Sequence, residues 1–232
     1  SQCRDALRPT VPAARSAAPG GGAPGTDNET GPSIRGAGSG IAYTRTRSGT
    51  SCVYVITTNT NDTPLTVSCG EGGSTGASQS DISVDGGYIV YTSGGRLYWK
   101  ARYNLSSPAV LVDTPPSGVS DLNPRWLDAD QVTTSGFRIQ QNDVVMMRSN
   151  GSIVRITNAE GGIFSKSVSV ITTGLPSNGV VATAIPNTST YLYTVSGGTN
   201  RGLWRTSPGG TPMQLATGPA IGVQVVRQFT AV

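Results

Sequence analysis

Between Ser83 and Arg102 the chain carries a β-hairpin pattern, SVDGGYIVYTSGGRLYWKAR, which limits the folds open to it. Side chains in residues 88–93 follow the two-residue period of a pleated strand. The Gly-Gly pair at 94–95 supplies the positive φ angles that a two-residue turn requires. Residues 96–100, RLYWK, are rich in aromatic and apolar side chains and predict the returning strand.

Similar hairpins recur along the chain, and each is followed by a third short strand. The predicted equivalent positions are Tyr43, Tyr91, Met147 and Tyr193, which lie 48, 56 and 46 residues apart. Repeats of roughly 40–50 residues with several short strands each are typical of propeller blades. We therefore predict an all-β, propeller-like domain of four blades in residues 39–232.

Closure of the propeller is predicted to involve the C-terminus. The pattern shows no strand before Ile41 in the first unit, whereas residues 223–229 form a strand without a hairpin partner. We expect this C-terminal strand to complete the blade that begins at Ile41, because closure hides sheet edges. Residues 113–142 predict a long loop or part of a fifth blade, and a β-sandwich is the alternative fold.

Residues 1–38 differ from the repeats, because they are rich in Ala, Pro and Gly and lack strand alternation. A segment of this composition cannot form its own core, so it predicts an extended N-terminal arm. We expect the arm to lie against its own domain or against a neighbouring copy. Segments 10–14 and 33–37 are candidates for strand addition to another subunit.

Three short motifs in the second unit are more specific than the hairpin alone. They are an Asp-Gly pair, an apolar-aromatic strand and a returning apolar-aromatic strand: Asp85-Gly86, Ile89-Val90-Tyr91 and Leu97-Tyr98-Trp99. In this order they resemble the TolB-type or WD40-like β-propeller repeat, mainly over residues 83–102. The resemblance implies a propeller that serves as a binding scaffold. Some proteins of that family also carry a hydrolase domain. The repeats leave no room for such a domain in residues 39–232.

The chain contains no histidine and three cysteines. Without histidine, Ser-His-Asp and Cys-His catalysis and imidazole-based zinc sites are excluded, and three thiolates are too few for a four-thiolate zinc site. No glycine-rich phosphate loop precedes a helical pattern. We predict no catalytic residue, no metal and no cofactor. A carboxylate pair at Asp128 and Asp130 is the enzymatic alternative.

Charge and hydropathy limit the kinds of partner that the chain can bind. Charged residues make up 13% of the chain, the net charge is +4, and the basic residues are scattered. This pattern argues against a nucleic-acid partner. No run of about 18 apolar residues is present, so no membrane-spanning helix is predicted.

Cys52 and Cys69 lie symmetrically about a predicted turn at residues 59–62. In that register they face each other, so we predict a cross-strand disulfide, with two half-buried thiols as the alternative. Cys3 would be free, joined to another subunit or lipidated. Candidate glycosylation sites with the sequence Asn-x-Ser/Thr are Asn28, Asn104, Asn150 and Asn187. Together these features predict an extracellular or cell-surface location.

The tryptophans supply the candidate ligand contacts. Trp99 and Trp204 occupy corresponding places in two units and are predicted to pack between blades rather than to stack on sugars. Trp126, in the predicted long loop, is the better candidate for an exposed contact. Arg125 and Asp121 complete that candidate site.

The function predicted from these features is a secreted or cell-surface, non-enzymatic structural protein. It would self-assemble into homo-oligomers, rings or filaments through residues 1–38. The alternative is a lectin-like propeller module that binds a glycan or a protein through the site around Trp126.

Overall fold

The structure is a computed structural model that describes residues 28–34, 40–57, 63–83, 86–132, 138–159, 166–175, 179–185 and 188–218. Within these ranges the chain forms sixteen β-strands in four antiparallel sheets of four strands. Strands that are adjacent in sequence pair side by side in each sheet. The prediction of an all-β chain with four repeated units is confirmed.

The four sheets are numbered as blades 1 to 4 in chain order. Blade 1 contains β1 (Asn28–Ile34), β2 (Ile41–Arg47), β3 (Thr50–Ile56) and β4 (Leu65–Ser68). Blade 2 contains β5 (Ala77–Ile82), β6 (Tyr88–Ser93), β7 (Arg96–Ala101) and β8 (Val110–Asp113). Blade 3 contains β9 (Asp121–Val132), β10 (Arg138–Arg148), β11 (Ile153–Thr157) and β12 (Ser167–Thr172). Blade 4 contains β13 (Gly179–Ala184), β14 (Tyr191–Val195), β15 (Gly202–Thr206) and β16 (Met213–Thr217).

The hairpin at the centre of the sequence pattern is β6 and β7. Gly94 and Gly95 join these strands with φ angles of +57° and +74°, as the turn chemistry predicts. Ser93 pairs with Arg96 across the turn, so the register follows directly from the two-residue loop. Among the described residues, no helix has the length and apolar character needed to cross a membrane.

Residues 113–142, predicted as a long loop or part of a fifth blade, instead lead into blade 3. Strands β9 and β10 pair from Asp121 opposite Arg148 to Val132 opposite Arg138. The fifth-blade and β-sandwich alternatives are therefore wrong for the part of the chain that the structure describes. Polar residues along β9 obscured the strand in the sequence, because they interrupt the expected apolar alternation.

The first strand of blade 1 comes from the segment predicted to be an arm. β1 pairs with β2, with Thr30 opposite Thr44 and Ser33 opposite Ala42. It occupies the place in blade 1 that β5, β9 and β13 occupy in their own blades. The boundary predicted after residue 38 therefore falls within blade 1. β1 also takes the position expected for residues 223–229, which lie outside the described residues.

The hydrophobic core lies between neighbouring blades. One cluster joins blades 1 and 2, where Val53 and Val55 pack with Ile82, Ile89 and Tyr91. A second cluster joins blades 2 and 3, and a third joins blades 3 and 4. Burying one such side chain contributes about 1.5–3 kcal/mol. Apolar packing therefore holds consecutive blades together and positions their first strands beside one another.

The predicted alignment of the third unit is displaced by one residue. Met146 packs with the cluster facing blade 2, as Tyr91 of the second unit packs toward blade 1. Met147 points the other way and joins the cluster shared with blade 4. A one-residue shift reverses the face of a strand. Met146, not Met147, is therefore the structural equivalent of Tyr91.

Trp99 and Trp204 both pack against interblade clusters, as predicted. The Trp99 ring meets Tyr88 edge-to-face, with 5.2 Å between ring centroids. Trp204 stacks on Tyr193 at 6.2 Å. Such aromatic pairs add stabilisation beyond the area they bury.

Candidate functional site

The first strand of every blade has a pairing irregularity, and those of blades 1, 2 and 3 also share a backbone feature. Pairing shifts between Thr30 and Ser33 in β1 and between Ser78 and Asp81 in β5, and the same break follows Leu122 in β9. Such a break is a β-bulge, in which residues leave the ladder and re-aim their side chains. Bulges are frequent beside functional sites, so these three strands are the place to look for one.

The residue that follows each break has left-handed backbone geometry. Gly31, Gln79 and Asn123 have φ angles of +60°, +55° and +49°. Glycine adopts this region freely and asparagine tolerates it, whereas glutamine has no such advantage. A non-glycine residue in a sparsely populated region costs about 1–3 kcal/mol and persists where its surroundings hold it.

Two of the three bulges carry a sequence mark. Pro32 follows Gly31, and Pro124 follows Asn123. Proline has no N–H to donate to a β-ladder, so within sheets it is confined to edges and bulges. The blade 2 bulge has Gln79-Ser80 instead, and hydrogen bonds rather than a proline hold it.

Gln79 is held by groups from the blades on both sides. Its backbone N–H donates to Thr44 Oγ1 of blade 1 at 3.2 Å. Its Oε1 accepts from the backbone N–H of Asn123 in blade 3 at 3.0 Å. Because a backbone N–H can meet only the amide oxygen, the orientation of the Gln79 amide is determined. No described residue accepts from the two N–H groups of Nε2.

The bulges border a cavity of about 220 Å³. Its wall is formed by polar side chains and loop backbone from three blades: Thr30, Gly31, Thr44, Ser78, Gln79, Ser80, Asn123, Pro124 and Arg125. Ser80 is 4% exposed, and its hydroxyl oxygen has no hydrogen-bond partner among the residues that the structure describes. A buried polar group without a partner costs free energy, so its presence in a cavity wall indicates a place for a ligand or water.

Asp81 lies directly after the blade 2 bulge and joins three blades. Its side chain is fully buried. Oδ2 accepts from the Trp126 backbone N–H at 2.7 Å, and Oδ1 accepts from the Ser33 hydroxyl. Arg125 Nη1 lies 3.3 Å from Oδ1. This carboxylate has its hydrogen bonds satisfied within the protein, so its role is to fix the cavity wall.

Two further buried carboxylates pair with arginines within blade 3, away from the cavity. Asp143 accepts from Arg155 Nε at 2.9 Å. Asp121 Oδ1 accepts from Arg148 Nε at 3.1 Å, while its Oδ2 is buried without a partner. Burial raises the pKa of Asp121 to about 6, against the opposing effect of the Arg148 hydrogen bond. Asp121 therefore binds a proton more readily than an ordinary aspartate.

The three residues predicted as ligand contacts are not brought together. Arg125 lines the cavity, with 26% of its side chain exposed. Trp126 and Asp121 are 0% exposed, so the prediction of an exposed Trp126 contact is wrong. The reason is that Trp126 lies on strand β9 and faces blade 2, where it fills the interblade cluster. Asp121 faces Arg148 instead of solvent.

The remaining predicted residues lie away from this cavity. Cys52 and Cys69 form the predicted disulfide, with Val53 opposite Ser68 in the adjoining register. The candidate glycosylation sites Asn28, Asn104 and Asn150 are exposed, whereas Asn187 lies outside the described residues. The side chains of Asp128 and Asp130 also lie outside the described part. In that part, no group of three or more His, Cys, Asp or Glu side chains is placed to hold a metal ion.

Sequence reasoning missed Gln79, Ser80 and Asn123. A usable signal was present in the dipeptides Gly31-Pro32 and Asn123-Pro124, because each places a turn-forming residue before proline within a segment that forms a strand. The repetition of this signal in two units indicates paired bulges. Gln79 and Ser80 carry no comparable mark.

Three solved structures show what this chain is similar to. TolB from Acinetobacter baumannii matches with a TM-score of 0.56 and 13% identity, over 84% of this chain and 45% of that chain. A streptogramin B lyase matches with a TM-score of 0.51 and 15% identity, over 83% and 58%. The WD40 domain of SCAP from fission yeast gives 0.49 and 12%, over 84% and 46%. No protein-family model matches the chain, and no curated protein matches its sequence.

At these identities the likeness shows the fold alone, which is a β-propeller. The predicted resemblance to a TolB-type propeller is thereby confirmed at the level of fold. The chain spans about half the length of the structures it matches.

Proposed function

We propose that this chain is a non-enzymatic binding module whose ligand occupies the cavity between the bulges of blades 1, 2 and 3. The observation that carries the proposal is Ser80, a residue of the cavity wall whose buried hydroxyl oxygen has no partner among the described residues. The two unused donors of Gln79 Nε2 belong to the same wall. A ligand with several oxygen atoms would satisfy these groups, and a terminal sugar unit of a glycan has this chemistry.

The composition of the wall supports recognition by hydrogen bonds. No aromatic residue is among the described residues that line the cavity, so the site offers no platform for ring stacking. The absence of histidine from the chain supports binding over catalysis, since the commonest general base at neutral pH is missing. A cavity placed between three blades holds its donors in fixed positions, which lowers the entropic cost of binding.

The proposal is tested by glycan-array screening of the full chain, followed by NMR titration of the best ligand. We expect Ser80→Ala to weaken binding several-fold, because the ligand loses a hydrogen bond of about 0.5–1.5 kcal/mol. Ser169→Ala, an exposed serine on β12, is the matched control and should bind as wild type does. Equal binding by both variants would place the ligand elsewhere.

Self-assembly is the second candidate function, and the outermost strands favour it. These strands expose large apolar side chains in all four blades: Leu65, Val110, Leu111, Val168, Val170, Met213 and Leu215. β12 contains six residues and no charge, and Val170 is 55% exposed. An uncharged edge strand with exposed apolar side chains favours strand addition by another chain.

The N-terminal arm is the predicted partner for such an edge. One of its two candidate segments is already paired within blade 1. Ser33 already pairs within blade 1, so segment 33–37 cannot add in full to another subunit. Segment 10–14 lies outside the described residues and stays a prediction. The test is electron microscopy and light scattering of the chain with and without residues 1–27, a truncation that retains β1. Assemblies that persist after truncation would contradict a role for the arm.

We also propose an extracellular or cell-surface location. The Cys52–Cys69 disulfide supports it, because disulfides persist in oxidising compartments and are rare in the cytosol. Mass determination of the native protein with and without reductant tests the bond. A fully reduced protein from its native compartment would contradict this location.

A further inference from the structure

Arg125 supplies the charge of the cavity. It is the one charged residue among the described residues that line the wall, and no carboxylate lines it. Its ion pair is a contact of 3.3 Å between Nη1 and Asp81 Oδ1. A guanidinium group carries five N–H donors in a planar fork, so most of its donor capacity is left over. The cavity therefore presents one positive group in an otherwise neutral wall.

Asp81 does not depend on Arg125 for its hydrogen bonds. The Trp126 backbone N–H donates to Oδ2 at 2.7 Å, and the Ser33 hydroxyl donates to Oδ1. The carboxylate thus keeps protein partners if the Arg125 fork turns toward a ligand. A carboxylate on the ligand suits this fork, because arginine pairs with carboxylates in bidentate geometry.

The rest of the wall suits hydroxyl groups. Ser80 Oγ has no partner, and the N–H groups of Gln79 Nε2 meet no acceptor among the described residues. The Asn123 side chain also lines the cavity and makes no hydrogen bond to a described residue. A hydroxyl both donates and accepts, so neighbouring hydroxyls can satisfy an amide and a serine together.

We propose that the ligand is a small sugar acid, with its carboxylate on Arg125 and its hydroxyls on Ser80, Gln79 and Asn123. This inference rests on the proposed function, in which the cavity is the binding site. The volume of about 220 Å³ is below the roughly 300–1,000 Å³ of pockets for drug-sized ligands. The cavity therefore takes one sugar-acid unit, free or at the end of a chain.

The test is calorimetric titration of the full chain with glucuronate, glucose and acetate. Hydrogen bonds to a charged partner are about twice as strong as neutral ones, so we expect glucuronate to bind about tenfold more tightly than glucose. Acetate should bind more weakly than glucuronate, because it lacks the hydroxyls. The preference for glucuronate should shrink as salt is raised, since screening weakens the charge interaction.

Three variants test whether Arg125 causes the preference for glucuronate. Arg125→Gln should reduce glucuronate affinity to about that of glucose, and Arg125→Lys should recover only part of it, because lysine lacks the fork. Arg96→Gln removes the same charge at an exposed position on β7 and should leave binding unchanged. Thermal melts of each variant show whether the fold is intact. If Arg125→Gln unfolds, two results still test the role of Arg125. They are the affinity of Arg125→Lys for glucuronate and the comparison of glucuronate with glucose on wild type.

The outcomes separate this inference from the proposed function. Equal affinity for glucuronate and glucose, with both weakened several-fold in Ser80→Ala, would overturn the sugar-acid inference and leave the cavity as a binding site. Equal affinity for acetate and glucuronate would overturn the role of the hydroxyls. No binding of any of the three, with no ligand on a glycan array, would overturn both proposals.

Discussion

Ser80 and Asp81 are neighbours on β5, yet they belong to two regions with opposite chemistry. Asp81 lies in the contact between blades, where three groups from blades 1 and 3 bond to its carboxylate. Ser80 lies in the cavity wall, and its hydroxyl has no partner in the described part of the chain. In the first region the protein satisfies its own polar groups, which contributes to the stability of the fold. In the second it leaves them unsatisfied, which favours a ligand. Substitutions in the two regions should therefore separate stability from binding.

Asp81→Ala should have the largest effect on stability. Its partner Arg125 is partly exposed, so the main cost comes from buried donors that lose their acceptor, at about 1–3 kcal/mol for each. These donors are the backbone N–H of Trp126 and the Ser33 hydroxyl. Urea unfolding of wild type and variant measures the loss. A loss below about 1 kcal/mol would contradict the assignment of Asp81 as a structural group.

Opening the disulfide should come next. Replacing Cys52 and Cys69 together by serine frees a loop of 17 residues, which should lower the unfolding free energy by about 3 kcal/mol. Binding at the cavity should not change, because neither cysteine lines it. Urea unfolding of the double variant tests the predicted loss of stability, and ligand titration of the same variant tests the unchanged affinity. A combined loss of stability and affinity at a temperature where the variant is folded would show that blade 1 couples to the site.

Asp121 should produce a smaller effect that is limited to acidic pH. Its pKa is raised from 3.8 to about 6 in the folded state, so the folded protein binds this proton more tightly than the unfolded chain does. Protonation therefore stabilises the fold. The contribution is complete below about pH 4 and is lost as pH rises through about 6. We expect the stability of wild type relative to Asp121→Asn to fall between these values. A constant difference across the range would contradict the shifted pKa.

Ser80→Ala should have the smallest effect on stability. The hydroxyl makes no hydrogen bond to a described residue, so its removal should change the unfolding free energy by less than about 1 kcal/mol. The same variant should lose affinity for the cavity ligand. A large destabilisation would show that the hydroxyl has a structural role, and the contrast with Asp81 would fail.

Local patterns in the sequence determined the elements of this fold. The two-residue period of β6 and the glycines of its turn act over a few residues, so the hairpin could be predicted from them alone. Its repetition predicted four blades, and the spacing of Cys52 and Cys69 about a turn predicted their disulfide. Of the candidate ligand residues, Arg125 alone lines the cavity.

The tertiary structure decided which side each strand faces and which strand begins blade 1. A bulge adds a residue and reverses the faces beyond it on its own strand, so Trp126 on β9 became core. Met146 rather than Met147 corresponds to Tyr91, because it faces the preceding blade. β1 is positioned by its pairing with β2, although its own sequence shows no strand pattern. The cavity joins residues from three blades that are far apart in sequence. Contacts of this kind leave no local period, and for this reason only the folded arrangement determines the site.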